Sequence, residues 1–433
     1  MKNRLKTNTY FIFIIAFCVS IAAQYAHAAA NEPVLALAKK EKPALIETLK
    51  ELVAIESGSS DIEGLNKIAE VIAAKFKSLD GKVEFIEPAA DAHRDSATPE
   101  KVGKMVRVTY TGTGTKKILL LAHMDTVYRR GMLAGQPFKI DGDRAYGLAI
   151  ADDKHGVALI LHTLTMLKAM NFRDYGTLTV LITADEEIGS PASRSVLTRL
   201  GAEHDVTMSF EGGGAPDNDN LSMATSGSAN AIISVRGRAA HSGSAPHLGI
   251  NAVDELAHQI LQSRDLSDPK VGLRANWVLA SGGLVRNMIP PGAQAVLNIR
   301  VLRMEDLDGI EAKLRERIKN KLLPQAVVEM NFERGRPPLQ ETPAARALAL
   351  HGQTIYAEIG KKLKVSDEPR GGGTDAAFAG LKTKAPVVEG FGLLGFGAHS
   401  TNAEYIAMSS IEPRLYLAAR MIMDISSGKA PLK

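Results

Sequence analysis

Apolar and polar positions alternate along this chain in two rhythms. Between residue 32 and about residue 224, the runs 118–122, 178–184 and 206–210 are apolar on both alternations and end at turn residues. Short runs without a polar face predict strands buried on both sides. Segment 156–170 is long and apolar enough for a packed helix. Such alternation predicts a largely parallel α/β sheet covered by helices on both faces. The stretch 85–103, rich in Asp, Ala and Pro, reads as a surface excursion.

A different rhythm fills 225–337: strand 229–235, helix 251–262, strands 274–280 and 293–300, helix 305–320 and strand 326–332. This β-α-β-β-α-β order predicts a small ferredoxin-like α+β unit. After Pro337 and Pro338 the α/β pattern resumes. The expected organisation is therefore a catalytic domain in two parts, 29–224 and 338–433, with 225–337 inserted.

The first 28 residues read differently. A basic start (Lys2, Arg4, Lys6) precedes an apolar run and Ala26-His27-Ala28, the pattern of a cleaved secretory signal. The run is shorter than the ~20 residues that span a bilayer, so an exported protein, periplasmic or secreted and free of the membrane after cleavage, is expected. Cleavage would remove three of the 52 basic residues and none of the 48 acidic ones, leaving a net charge near +1. That balance does not suggest a nucleic-acid binder. Cys18 is the sole cysteine and lies in the leader, so the mature chain has no thiol nucleophile or disulfide. Any metal must be held by His and carboxylates.

Candidate ligands sit where strands end. His123 and Asp125 leave the strand 118–122 at i and i+2, so Asp125 can orient the His123 imidazole, though such a triplet is commonly only a turn. Asp152-Asp153 precedes the 156–170 helix and reads equally as an acidic N-cap. Glu186-Glu187 follows strand 178–184. Adjacent buried carboxylates repel unless a cation lies between them, whereas in a solvated turn they need none. Glu211 precedes Gly212-Gly213-Gly214, and His399 lies in a loop where a lone histidine is usually surface. Their shared address, the carboxyl edge of an α/β sheet, is where such sheets place their sites. Two His, a bridging Asp and two Glu suit a pair of zinc ions. Glu186 is then left over as a general base.

Taken in order, His123-Met124-Asp125-Thr126-Val127, Asp152-Asp153-Lys154, Asp185-Glu186-Glu187-Ile188-Gly189-Ser190, Ser209-Phe210-Glu211, Gly237-Arg238-Ala239-Ala240-His241-Ser242-Gly243, Gly371-Gly372-Gly373-Thr374-Asp375 and Gly395-Phe396-Gly397-Ala398-His399-Ser400 resemble the M20 family of zinc metallopeptidases, and within it the bacterial periplasmic glutamate carboxypeptidases. The resemblance implies a zinc-exopeptidase-like mixed sheet with an inserted dimerisation domain. It also implies two zinc ions per chain, one on His123 and Glu211, the other on Glu187 and His399, bridged by Asp152 across a cis Asp152–Asp153 peptide. Glu186 would be the base, with Asp125 supporting His123. His241 from a partner subunit would stabilise the oxyanion.

By the same resemblance Asn287, Arg300 and Arg336 would hold the substrate's carboxylate or carbonyl. A guanidinium suits a carboxylate because it can donate two parallel hydrogen bonds. Gly373 and Thr374 open a helix whose free amides suit the same group. The activity implied is hydrolysis of the amide bond to a carboxy-terminal amino acid, glutamate foremost, in small peptides, folate-like compounds or N-acyl amino acids. A dipeptidase or aminoacylase of the family would share every ligand. A silent binding protein on the same fold would be expected to have lost one, and none is missing. A phosphatase suits the carboxylate-recognising groups poorly. One position departs: Asn220 stands where glutamate-specific relatives carry a lysine, beside a one-residue insertion within 212–219.

Overall fold

The computed structural model describes residues 29–400 and 403–433. The expected leader, with Cys18, lies outside the described residues. Among them, no helix is long and apolar enough to cross a membrane.

The large sheet has six strands: β1 (Lys82–Ile86), β2 (Met105–Thr111), β3 (Lys117–His123), β4 (Thr177–Thr183), β5 (Val206–Ser209) and, late in the chain, Val387–Val388. From β1 they run β1-β2-β4-β3-β5 and then the late strand. Strand β3 is parallel to β4 and β5, and the late strand is parallel to β5. The β1–β2 and β2–β4 pairs are antiparallel. The sheet is therefore mixed, and Phe85 belongs to a strand rather than to a surface excursion. Strand β1 escapes the apolar-run criterion because its residues Lys-Val-Glu-Phe-Ile are only half buried, as at a sheet edge.

Both faces of β3 are buried, as its apolar run requires. Ile118 and Leu120 join the core beneath helices Glu32–Val53, His155–Ala169 and Ile411–Ser426. Leu119 and Leu121 pack on the other side with Leu197, Leu200 and Phe378. Each such Leu or Ile contributes roughly 1.5–3 kcal/mol by leaving water. That packing fixes the strand ends from which the candidate ligands project.

Segment 227–334 forms its own antiparallel sheet from strands β6 (Gly227–Arg236), β7 (Arg274–Gly282), β8 (Gly292–Val301) and β9 (Val327–Arg334), in the order β7-β8-β6-β9. Helices Ala252–Leu261 and Glu305–Arg317 intervene in sequence, giving the β-α-β-β-α-β order. Asn251 caps the first by accepting from the Val253 and Asp254 amides at 3.0 and 3.4 Å. A third, small sheet pairs Gly395–Phe396 with Tyr405–Ala407, and the latter with Arg144–Tyr146. It ties the His399 loop to the approach to Asp152.

Candidate metal centre and substrate cleft

Strand β3 ends on His123 itself, so the ring leaves the sheet at its carboxyl edge. Its Nδ1 lies 3.1 Å from the Asp125 carbonyl and 3.4 Å from Asp125 Oδ1. Asp125 also accepts from the Glu186 and Glu187 amides at 3.0 and 3.1 Å, and from Ser59 Oγ at 2.7 Å. One fully buried carboxylate thus orients the histidine and fixes the turn Glu186–Ile188. Ser59 carried no sequence signal, because its partner lies 66 positions away.

His123 Nε2 faces two carboxylates, Asp152 Oδ1 at 2.9 Å and Glu211 Oε1 at 3.3 Å. His399 Nε2 faces two others, Asp152 Oδ2 at 3.1 Å and Glu187 Oε2 at 3.1 Å. Asp152 thereby offers one oxygen to each half of the cluster. Geometry alone also groups Asp153 with His123 and Glu211. Its oxygens are committed, however: Oδ2 accepts from the His123 amide at 3.3 Å and Oδ1 from the Gly156 amide at 3.2 Å. The cap and ligand readings thus divide between the two neighbours, Asp153 meeting the helix and Asp152 the cluster. The peptide joining them is cis.

The electrostatics are those of a site built for cations. Burial pushes the carboxyls of Glu186, Glu187 and Glu211 above the usual range. Burial acts the same way on Asp152, but hydrogen bonds from His123 and His399 pull it well below. Hydrogen bonds to Asp152 and then Glu187 push His399 up to about 10. Glu187 Oε1 is buried without a hydrogen-bond partner among the described residues. An orphaned carboxylate oxygen beside two His rings and three other carboxylates is a nitrogen-and-oxygen donor set that fits zinc.

Across the cleft, Arg336 is buried and its Nη1 pairs with Glu186 Oε1, while Nη2 donates to Ser190 Oγ at 3.2 Å. The arginine expected at the substrate's carboxylate therefore lies against the candidate base. Arg300 is half buried, and its Nε donates to Asn298 Oδ1 at 3.1 Å. Arg274 lies opposite it in register, a like-charged pair that favours an anion nearby. Gly373 lets Arg336 close over the loop, since a Cβ there would lie 2.9 Å from Arg336 Cδ. Thr374 is turned inward, donating to Glu389 Oε2 at 3.1 Å. The helix that follows has only five residues, so its dipole adds little.

His241 and Asn287 are exposed on paired loops of the inserted sheet, joined by Ser242 N–H to Asn287 O at 3.0 Å. Neither meets the cluster among the described residues of this chain. The open space beside the cluster is lined by Ser59, Val127, Tyr128, Arg130 and Glu187.

A sheet edge carrying paired His and carboxylates, with a spare buried glutamate, defines a metal-dependent hydrolase. Residues 119–424 match the model of peptidase family M20/M25/M40, and the chain belongs to this family of metallopeptidases. It is 43% identical over 392 residues to carboxypeptidase G2 of Pseudomonas sp. (strain RS-16), covering 90% of this chain and 92% of that one. Aminopeptidase PepT of Bacillus cereus shares the fold at a TM-score of 0.70 and 22% identity, over 89% of this chain and 98% of that one. The M20 family metallo-carboxypeptidase Sso-CP2 of Sulfolobus solfataricus does so at 0.70 and 15%, over 90% and 99%.

Proposed function

We propose that this chain is an exported carboxypeptidase that holds two zinc ions and works as a homodimer. It releases a carboxy-terminal amino acid, glutamate foremost, from small peptides, folate-like compounds or N-acyl amino acids. The observation that carries this reading is Asp152, with one oxygen toward the His123 and Glu211 group and the other toward the His399 and Glu187 group. The 43% identity to carboxypeptidase G2 supports the substrate class.

His123 and Glu211 would hold one ion, Glu187 and His399 the other, with Asp152 between. When bound, the ions polarise the scissile carbonyl and make a nucleophile available at neutral pH. Glu186 takes the proton of the attacking water and passes it to the departing nitrogen. Burial raises its carboxyl above the usual carboxylate range, which suits a group that must hold a proton between two transfers. Arg336 binds the free carboxylate of the substrate with Arg300 and the Gly373 backbone. In the free enzyme it is held by Glu186, so an arriving carboxylate that takes over the guanidinium leaves the base able to act.

His241 and Asn287 reach a site only from a second copy. The Nδ1 of His241 accepts from the Gly243 and Ser244 amides at 3.1 Å each, so a neutral ring carries its proton on Nε2. That proton is available to the carbonyl oxygen as it gains charge. Strand β7 is the edge of its sheet and exposes Val278 and Leu279, with Leu284 and Val285 just beyond it also exposed. An unpaired apolar edge of this kind suits pairing with its own copy across a two-fold axis.

The test is turnover by the zinc-loaded protein of folate, N-acyl glutamates, other N-acyl amino acids and dipeptides, with metal content and mass in solution measured in parallel. Release of carboxy-terminal glutamate by a dimer with two ions is expected. Activity confined to dipeptides with a free amino terminus would mean a dipeptidase instead. A preference for neutral N-acyl amino acids would mean an aminoacylase.

A further inference from the structure

A groove of about 800 Å³ lies where the chain returns from the inserted sheet to the catalytic one. Met304 and Gly335 line it from the inserted side, and Arg194, Phe378, Leu381 and Lys382 from the catalytic side. The volume falls within the roughly 300–1,000 Å³ of small-molecule sites. The crossing beside it is tied, the Ser228 amide donating to Arg336 O at 2.8 Å and the Gly335 amide to Ser228 O at 3.0 Å.

Charges on this groove do not balance. Its lining carries four basic residues and one acidic one, Glu203. Glu203 pairs with Arg199 at 3.3 Å, and Arg334 pairs with Asp308 at 2.6 Å and Glu311 at 2.8 Å. Arg194 is half buried and donates only to carbonyls, Gly189 O at 2.9 Å and Ser190 O at 3.3 Å. Asp95, Asp185 and Asp375 act on it without an ion pair among the described residues. Its Cζ stands 5.0 Å from the centre of the Phe378 ring. Lys382 is exposed, also without an ion pair among the described residues, and Leu381 beside it is 52% exposed. An apolar lining with two cations left over complements a ligand that has an apolar body and one negative charge. A planar guanidinium can stack on an aromatic ring and also meet a carboxylate at its edge.

We propose that this groove binds an aromatic monocarboxylate, its ring against Phe378, Leu381 and Met304 and its carboxylate on Arg194 and Lys382, and that occupancy lowers turnover. Such an acid is the class of product set free when an N-aroyl amino acid is cleaved: water adds across the amide C–N bond, giving the aromatic carboxylate and the amine. That part rests on the carboxypeptidase reading. The groove and the cleft share two stretches of backbone. Arg194 holds the carbonyls of Gly189 and Ser190, and Ser190 Oγ accepts from Arg336 Nη2 at 3.2 Å. Gly335 and Pro337, the neighbours of Arg336, both line the groove. An occupant that draws on Arg194 and spreads the crossing therefore displaces Arg336 from the cleft without entering it.

The probes are 2-naphthoate and its neutral counterpart 2-naphthamide, titrated calorimetrically into the zinc-loaded protein. The acid should bind about tenfold or more tightly than the amide. Lys382→Glu and Leu381→Glu change exposed positions and place a negative charge on the lining. Each should weaken naphthoate binding about tenfold while kcat/KM measured without naphthoate stays unchanged. Naphthoate should lower kcat for an N-acyl glutamate even at saturating substrate, and do so less in either variant. Amide bound as tightly as acid, or naphthoate binding untouched by both variants, overturns the proposal. So does inhibition that vanishes at high substrate, which puts the acid in the cleft as an ordinary product. Naphthoate binding that both variants weaken, in a protein that releases no carboxy-terminal residue, supports the groove, and the carboxypeptidase reading alone then fails.

Discussion

The two sides of the cleft are built differently. On the catalytic sheet, His123, Asp125, Glu186 and Asp153 are buried, and each is held by further backbone or side-chain partners. On the inserted sheet, His241 and Asn287 are exposed and meet no cluster residue of their own chain. Arg336 bridges the two sides through its pair with Glu186. The difference separates what one chain completes from what it does not. The cluster is preorganised within one copy, whereas the proposed oxyanion and carboxylate contacts would depend on how the inserted domain and a second copy meet it.

The largest effect should therefore come from within the preorganised half. Glu186→Gln keeps the shape of the side chain but cannot accept a proton. It should lower kcat by about a hundred- to ten-thousand-fold while the zinc content stays unchanged. Near-normal turnover would remove Glu186 from the role, and a loss of metal would make it a ligand instead.

On the open side, His241→Ala should lower kcat by roughly a hundredfold or more, as loss of one oxyanion donor does elsewhere. Mixing this variant with Glu186→Gln sharpens the contrast. If His241 serves the opposite copy, hybrid dimers regain one intact site made of Glu186 from one chain and His241 from the other. No recovery after subunit exchange, checked by mass, would mean that each chain uses its own His241.

What the sequence made legible follows the same division. Strands β3, β4 and β5 are apolar on both alternations, a signal that depends on no partner, and their ends carry the candidate ligands. The inserted unit was legible from its amphipathic rhythm, and helix 251–262 differs from Ala252–Leu261 only by its capping residues. The strands Arg144–Tyr146, Gly395–Phe396 and Tyr405–Ala407 are too short for any period to register. Yet they set the path of the His399 loop. Glu404, which accepts from the Ala149 amide, was missed for another reason: a single polar residue says nothing of a partner 255 positions away.

A smaller effect is expected at the carboxylate subsite. Replacing the free carboxylate of a substrate by a carboxamide keeps its size but leaves Arg336 and Arg300 poorly paired. Discrimination of about thirtyfold in kcat/KM should follow. Equal values for the acid and the amide would leave the arginines a structural role, with Arg336 serving only Glu186.

The smallest effect belongs to a brace between the cluster's two loops. Tyr128 is buried, and its hydroxyl lies 2.5 Å from Glu404 Oε2 and 3.1 Å from Ser400 O. Glu404 in turn accepts from the Ala151 amide at 2.7 Å and the Ala149 amide at 3.2 Å. The pair joins the His399 loop to the turn that presents Asp152, so Tyr128→Phe should weaken zinc affinity by about tenfold, as loss of outer contacts does at metal sites. Burial pushes the Glu404 carboxyl up to about 7, and the Tyr128 hydrogen bond works against that rise. A carboxyl raised on folding weakens the fold where it must ionise, above about 7, and this penalty fades as pH falls toward its unfolded value. Without the hydroxyl the ionised form loses a donor while the protonated form loses less. The variant's stability deficit, about 1–3 kcal/mol for an unmet buried acceptor, should therefore be larger at pH 8 than at pH 5.5. Melting curves of the metal-free protein at both values decide the point, because a deficit independent of pH would mean that Tyr128 acts through packing and not through the charge on Glu404.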